Sequence, residues 1–391
     1  MRDQDRKIGD AISDYFIVLM PPIFFGTAIL LGPVVVPLQV ITVLGLLGLV
    51  KNRINTYAVH GALLWFLVVI FFLSIGVLLA SHGNPDLDDV KQFSMRSLFA
   101  FYTFALFVRL VIKKKISREA VKAALLTLRI FFLYGVYEFL AKIVDLPLPL
   151  SGLSNNPSYT NALEVTSDLS GWLEFYRAQS IWPEPSFAIF PVILFWVLSD
   201  GERIPVKKID MIIMFMFVLL TFSRTVWLGL FVIIVARSVL FKSRPWVLVI
   251  GLIFSLSLAF LNFSDGNDHS ASVRAETTRY GFEIASKDFY KGIGFNKFKD
   301  TEYAEISEES VIHNTVSSYL ASMGWPIGLA LLLLFIVPLL KSRVRDISYL
   351  APLLVILLFT MSDAFYFTPV YFLIAYGRAK NLSTSALVSP S

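Results

Sequence analysis

The sequence predicts an all-α, polytopic membrane protein of about twelve transmembrane helices, and three observations predict it. Of 391 residues, 56% are hydrophobic and only 16% charged, far from the balance of a soluble domain. Uncharged or nearly uncharged runs of about the 20 residues needed to cross hydrocarbon recur from Tyr15 to Tyr376. The strongly basic short connections occupy every second gap between those runs. A bilayer offers no water to a lipid-facing backbone, so the runs must be helical.

Taken in order, the chain opens on the charged MRDQDRKIGD. The apolar run after it, interrupted by MPPIFFG, has no small-residue cleavage site, which predicts a retained first helix. The expected spans are 15–31, 34–50, 57–80, 94–112, 120–143, 186–200, 209–222, 225–241, 246–262, 314–340, 347–362 and 367–377. With the amino terminus cytoplasmic, KNR at 51–53, KKKISR at 113–118, ERIPVKK at 202–208, KSR at 242–244, KSRVR at 341–345 and GRAK at 377–380 all fall inside, as the positive-inside rule requires. These positions also account for the net charge of +5. The whole chain, 1–391, is expected to be a single integral membrane domain.

The opposite side receives SHGNPDLDDVKQ at 81–92 and two long loops, 146–185 and 262–313. Loops of this length between membrane helices are usually functional or disordered. In the second, Val273, Thr277, Tyr280 and Ile284 follow 4-3-4 spacing, one face of an amphipathic helix, and KGIGF supplies glycines for a turn. A helix there would roof a cavity at the outer mouth. There is no cysteine, which excludes disulfides, thiolate catalysis and cysteine metal sites.

The candidate residues gather at the outward rim. His313, one of four histidines, stands before the tenth span, and imidazole is the side chain suited to accept a proton near neutral pH. Its alternative is an interfacial histidine bonded to a helix end, and Glu308 and Glu309 either orient it or are ordinary loop acids. Arg224, in the short turn of TFSRTVWLG, is an outward arginine that works against the positive-inside rule and calls for an anionic partner, unless it snorkels or is structurally paired. Arg177 precedes the sixth span, with an ion pair to Glu174 or Glu184 as its alternative. Arg274 borders the apolar face of the amphipathic helix, whereas Arg279 points away from it and can pair with Glu276 and Glu283. Asp86 and Asp88 form a D-x-D that can hold a divalent cation or be a hydrated loop. Trp172, Tyr176 and Trp182 read as interface anchors or sugar platforms. No catalytic or nucleotide-binding fingerprint occurs in a supporting context.

Three segments, SIWPEPSFAIF, the SRT turn, and the stretch from Arg274 through KGIGFNKF to HNTVSSYLASMGWPIG, together resemble the O-antigen ligase and O-antigen/exopolysaccharide polymerase superfamily of bacterial inner membranes. The likeness runs from about Arg177 to Phe335, and the P-E-P-S signature looks more like the polymerases. Thr278 stands where the family often has a tryptophan. The resemblance implies transfer of a glycan from undecaprenyl diphosphate to an acceptor hydroxyl at the periplasmic or exterior face of the inner membrane, without a cofactor or metal. It implies His313 as general base and Arg177, Arg224 and Arg274 as diphosphate ligands, with Arg279, Asn314 and Glu184 in support. The implied partners are the lipid-linked oligosaccharide, a glycan acceptor, the bilayer and a possible chain-length regulator, with no nucleic acid. The alternatives are a ligase of the same superfamily, a twelve-helix secondary transporter of a polar or anionic solute, and a metal-dependent transferase using DLDD.

Overall fold

The computed structural model describes residues 2–25, 28–31, 34–37, 56–83, 85–113, 116–150, 166–169, 173–182, 184–240, 269–307, 309–340, 350, 353, 357–358, 361 and 368–388. In chain order the elements are α1 (Arg2–Asp14), a π-helical turn (Tyr15–Leu19), α2 (Met20–Ile23), β1 (Ala28–Leu31), β2 (Val34–Pro37), α3 (Thr56–Ala80), α4 (Leu87–Lys113) and α5 (Arg118–Val144). There follow β3 (Thr166–Leu169), β4 (Leu173–Tyr176), a 3₁₀ turn (Pro185–Ala188), α6 (Ile189–Gly201), α7 (Lys208–Leu220) and α8 (Arg224–Leu240). The last are α9 (His269–Lys287), a 3₁₀ turn (Phe298–Asp300), α10 (Glu302–Ser307), α11 (Thr315–Leu340) and α12 (Thr368–Val388).

The fold is helical, and among the described residues four helices are long and apolar enough to cross a membrane: His60–Ala80 within α3, α4, α5, and Thr315–Val337 within α11. Helices α6 and α7 have 13 residues each, about 20 Å of rise against a hydrocarbon core of about 30 Å. The spans expected at 246–262 and 347–362, most of 34–50, and the basic stretches 51–53, 242–244 and 341–345 lie outside, or almost wholly outside, the described residues.

The first expected span ends early. Pro21 and Pro22 open α2, where their missing N–H groups withdraw two donors from the preceding turn, and that turn is wound as a π-helix. Beyond Ile23 the chain turns into a hairpin, Ile29 opposite Val36 and Leu30 opposite Val35. The run of β-branched valines at 34–36 favours that extended state. The helices expected over 15–31 and 34–50 are therefore replaced locally by strands.

The chain divides into two interleaved compact units, residues 1–48, 115–265 and 345–349, and residues 49–114, 266–344 and 350–391. In the first, α5 packs on α6 and α7, and α6 on α8. Trp182 is fully buried, donates from Nε1 to the Ile23 carbonyl at 3.1 Å, and packs its ring against Phe131, Phe132 and Phe217. It is a core residue, not an interface anchor or sugar platform. Gly135 admits Phe217, since a Cβ there would lie 2.3 Å from the ring.

In the second unit α4 packs on α3 and α12, α11 on α3, and α9 lies along α11. DLDD begins α4 as a reciprocal cap: Asp89 N donates to Asp86 Oδ1 at 2.8 Å and Asp86 N to Asp89 Oδ2 at 3.2 Å, satisfying two backbone donors at the helix start. Asp86 also pairs with Lys297, and Asp88 with Lys91 at 3.3 Å and Lys299 at 3.9 Å. The hydrogen bond from Lys297 holds the Asp86 carboxyl below the usual carboxylate range, and the same bond raises Lys297 above the ordinary lysine value.

Candidate functional site

The site in the second unit is organised by a break in α11. Gly324 has φ 74° and ψ 165°, a conformation that a side chain would obstruct, and Pro326 has no N–H to continue the ladder. The carbonyls of Ala321 and Ser322, left over at the break, instead accept from Ile293 N and Gly294 N at 2.8 Å each, while Trp325 N donates to the Phe289 carbonyl at 2.8 Å. The KGIGF turn is thus a strap sewn into the helix by backbone hydrogen bonds. Its glycines are required: Gly292 and Gly294 have φ of 69° and 92°, and a Cβ at Gly292 would lie 2.5 Å from Met323 N. Phe289 stacks on Trp325 beside the seam.

The half of α11 that precedes the break carries His313 and Asn314 at its mouth. Asn314 is buried and caps the helix, its Oδ1 accepting from Ser317 N at 3.1 Å, which satisfies one of the orphan donors of the first turn. His313 N donates to Thr277 Oγ1 of α9 at 3.4 Å, and His313 Nε2 stands 3.3 Å from Glu309 Oε2. The imidazole is 28% exposed, so it is fastened and still open to a substrate. Of the two acids weighed beside it, Glu309 meets the ring, and Glu308 lies outside the described residues.

Helix α9 reaches this mouth because Gly281 allows it, since a Cβ there would lie 2.9 Å from Ser317 Cβ and 3.2 Å from Ile312 Cγ2. Its buried side is the 4-3-4 set of Val273, Thr277, Tyr280 and Ile284. Arg274 and Arg279 are both exposed. Arg279 pairs with Glu283 at 3.3 Å, whereas Glu276 accepts from the Tyr280 hydroxyl at 2.7 Å, a bond that raises the tyrosine above its ordinary pKa. Thr278 donates to the Arg274 carbonyl at 2.6 Å.

In the first unit Arg177 Nε donates to the Thr221 carbonyl at 3.1 Å, at the end of α7, and Ala178 N donates to the Leu220 carbonyl at 2.9 Å. Residues 221–223 then turn tightly, Phe222 at φ 46°, and Arg224 opens α8. The structure therefore brings the Arg177 side chain to the turn that precedes Arg224 and α8. Glu184 accepts from Ser186 Oγ at 3.0 Å at the start of the 3₁₀ turn. Trp172 lies outside the described residues.

Three groups escaped the sequence reading. Glu138 and Lys142 of α5 form a buried ion pair at 2.8 Å beside the Arg177 loop, signalled in sequence by their i,i+4 spacing near a helix end. Arg96 of α4 is buried, its guanidinium 3.6 Å from the Phe295 ring centroid and 2.5 Å from the Tyr319 hydroxyl. An ionisable residue within an apolar span is a signal by default, but the expected span 94–112 absorbed it.

The family model described as O-antigen ligase matches residues 211–333. That stretch runs from α7 into α11 and contains Arg224, Arg274, Arg279, His313 and Asn314, while Arg177 and Glu184 precede it. No curated protein matches the chain. The matched region, which holds the strapped half-helix and the start of α8 at Arg224, is thus similar to the O-antigen ligase family.

Proposed function

We propose that the protein moves a glycan from undecaprenyl diphosphate to an acceptor sugar hydroxyl at the periplasmic face of the bacterial inner membrane, acting as a polysaccharide or O-antigen polymerase. The observation that carries the reading is His313 Nε2 at 3.3 Å from Glu309, on the mouth of a half-helix within the matched domain. A carboxylate on one side of an imidazole stabilises the cation formed when the ring takes a proton. In the reaction the anomeric carbon–oxygen bond to the diphosphate breaks and a bond to the acceptor oxygen forms. The acceptor proton passes to His313 and from there to solvent. Charge accumulates on the departing diphosphate, and guanidinium groups meet such oxygens in bidentate fashion. Arg177, Arg224 and Arg274 take that role, with Arg279, Asn314 and Glu184 as support.

A break in α11 is also what a transporter reading looks for, because interrupted membrane helices expose peptide groups to cargo. Here the carbonyls at the break accept from Ile293 and Gly294, which favours a structural role for the interruption. The metal-dependent reading rested on DLDD, whose carboxylates cap α4 and pair with lysines.

Reconstitution with a defined undecaprenyl-diphosphate oligosaccharide tests the proposal. His313→Ala and Arg224→Ala are expected to insert normally, with transfer reduced about 10²-fold to 10⁴-fold for the histidine. Full turnover by inserted His313→Ala protein sinks the mechanism. Activity lost in EDTA and restored by magnesium favours the metal-dependent reading instead.

A further inference from the structure

The loop that bears Arg177 is fastened at successive peptide groups, and most of the fastening comes from one buried ion pair. Glu138 Oε2 accepts from Gln179 N at 3.0 Å and from Ser180 N at 2.6 Å. Its other oxygen, Oε1, accepts from Lys142 Nζ at 2.8 Å, and that ammonium also reaches the Arg177 carbonyl at 3.4 Å. Ser180 sits at φ 60° and donates its hydroxyl to the Phe131 carbonyl at 2.7 Å. Left-handed backbone at a residue with a side chain is unfavourable and persists where the surroundings over-determine it. Here they do. Glu138, Gln179 and Ser180 are all buried, and both side chains of the ion pair are 5% exposed.

Buried ion pairs are poor contributors to stability, because desolvation offsets their attraction. This one has another use, since a carboxylate with both oxygens committed sets the path of the chain 41 and 42 residues away. We propose that Glu138 and Lys142 are the positioning pair for Arg177: the carboxylate shapes the loop, the ammonium neutralises the carboxylate and holds the Arg177 carbonyl, and the guanidinium is thereby seated on the end of α7. The pair is neutral together, so it aims the loop without itself attracting an anion. The inference rests on the role given to Arg177 under the proposed function.

The atoms specify the test. In Glu138→Gln the carboxamide oxygen can still accept from both amides, but its NH₂ then faces the Lys142 ammonium, donor against donor. Adding Lys142→Met removes that conflict. Full-length protein in nanodiscs is compared as wild type, Glu138→Gln, and the double variant, by hydrogen exchange at Gln179 and Ser180, by kcat, and by KM for the lipid-linked donor and for the acceptor. The single variant is expected to exchange faster at both amides and to lose about 10²-fold in kcat per folded molecule, as a misplacement near 1 Å does, with the acceptor KM unchanged. The double variant is expected to recover protection and most of the rate. A purely structural role would lower the yield of folded protein and leave kcat per folded molecule intact. Wild-type exchange in the single variant, or a double variant as impaired as the single, overturns the inference. If the single variant does not insert, protection in the inserted double variant decides it. Full transfer by Arg177→Ala, with exchange behaving as expected, would instead remove Arg177 from the donor site and leave the positioning of the loop standing.

Discussion

Around Arg177 the backbone is held by side-chain charge, whereas around His313 it is held by other backbone. In the first unit a buried carboxylate gathers two amides and an ammonium. In the second, the KGIGF strap donates its own N–H groups to carbonyls at the α11 break, and glycines let the segments touch. The difference teaches where each unit is vulnerable. Removing or leaving unbalanced a charge disturbs the Arg177 loop of the first, while adding a single carbon disturbs the strap of the second.

That contrast can be broken most forcefully at Gly324. Its φ of 74°, with a Cβ that would fall 2.7 Å from the Tyr290 carbonyl carbon, makes Gly324→Val destabilising by about 3 kcal/mol or more. Thermal unfolding in detergent measures this, and an unchanged midpoint would show that the strap is not needed. Next comes Glu309→Gln, which keeps the shape beside His313 and removes the charge. A loss of about 10-fold to 10²-fold in kcat is expected, and an unchanged rate would show that the second unit needs no carboxylate charge beside His313. A smaller effect belongs to Gly294→Ala. The nearest atoms to its Cβ would be Lys297 Cγ at 3.2 Å and Asp89 Oδ1 at 3.4 Å, so the cost is mainly that of positive φ, about 1 kcal/mol.

The smallest effect is a pH dependence. Asp86 has its carboxyl lowered by Lys297, so its contribution is present above the unfolded value of about 3.9 and is lost as pH falls through the lower folded value. Wild type should therefore lose more of its unfolding midpoint than Asp86→Asn on titration below about pH 4. Equal acid sensitivity of the two would remove this pair from the account of how α4 meets the segment after the strap.

Much of α9 was legible because a helical period depends only on neighbours three and four residues apart, and Val273, Thr277, Tyr280 and Ile284 are its buried side. The glycines of the strap were legible for a similar reason, since positive φ is a local demand. The break in α11 had its signs in Gly324 and Pro326, but an apolar run reads as one span until the partner that completes its hydrogen bonds is known. Trp182 misled because a tryptophan beside prolines in a polar stretch looks interfacial, whereas its indole reaches Ile23, which is 159 residues away.

By itself the sequence determined the helical, membrane-capable class, the polar mouth at His313 and the short turn at Arg224, because hydrophobic length, glycine freedom and turn chemistry are local properties of a chain. Tertiary structure alone decided that Glu309 meets His313, that a loop completes a broken helix, and that Glu138 and Lys142 govern the path beside Arg177. Those facts depend on hydrogen bonds, many between groups distant in sequence, and a hydrogen bond leaves no periodic trace in either partner.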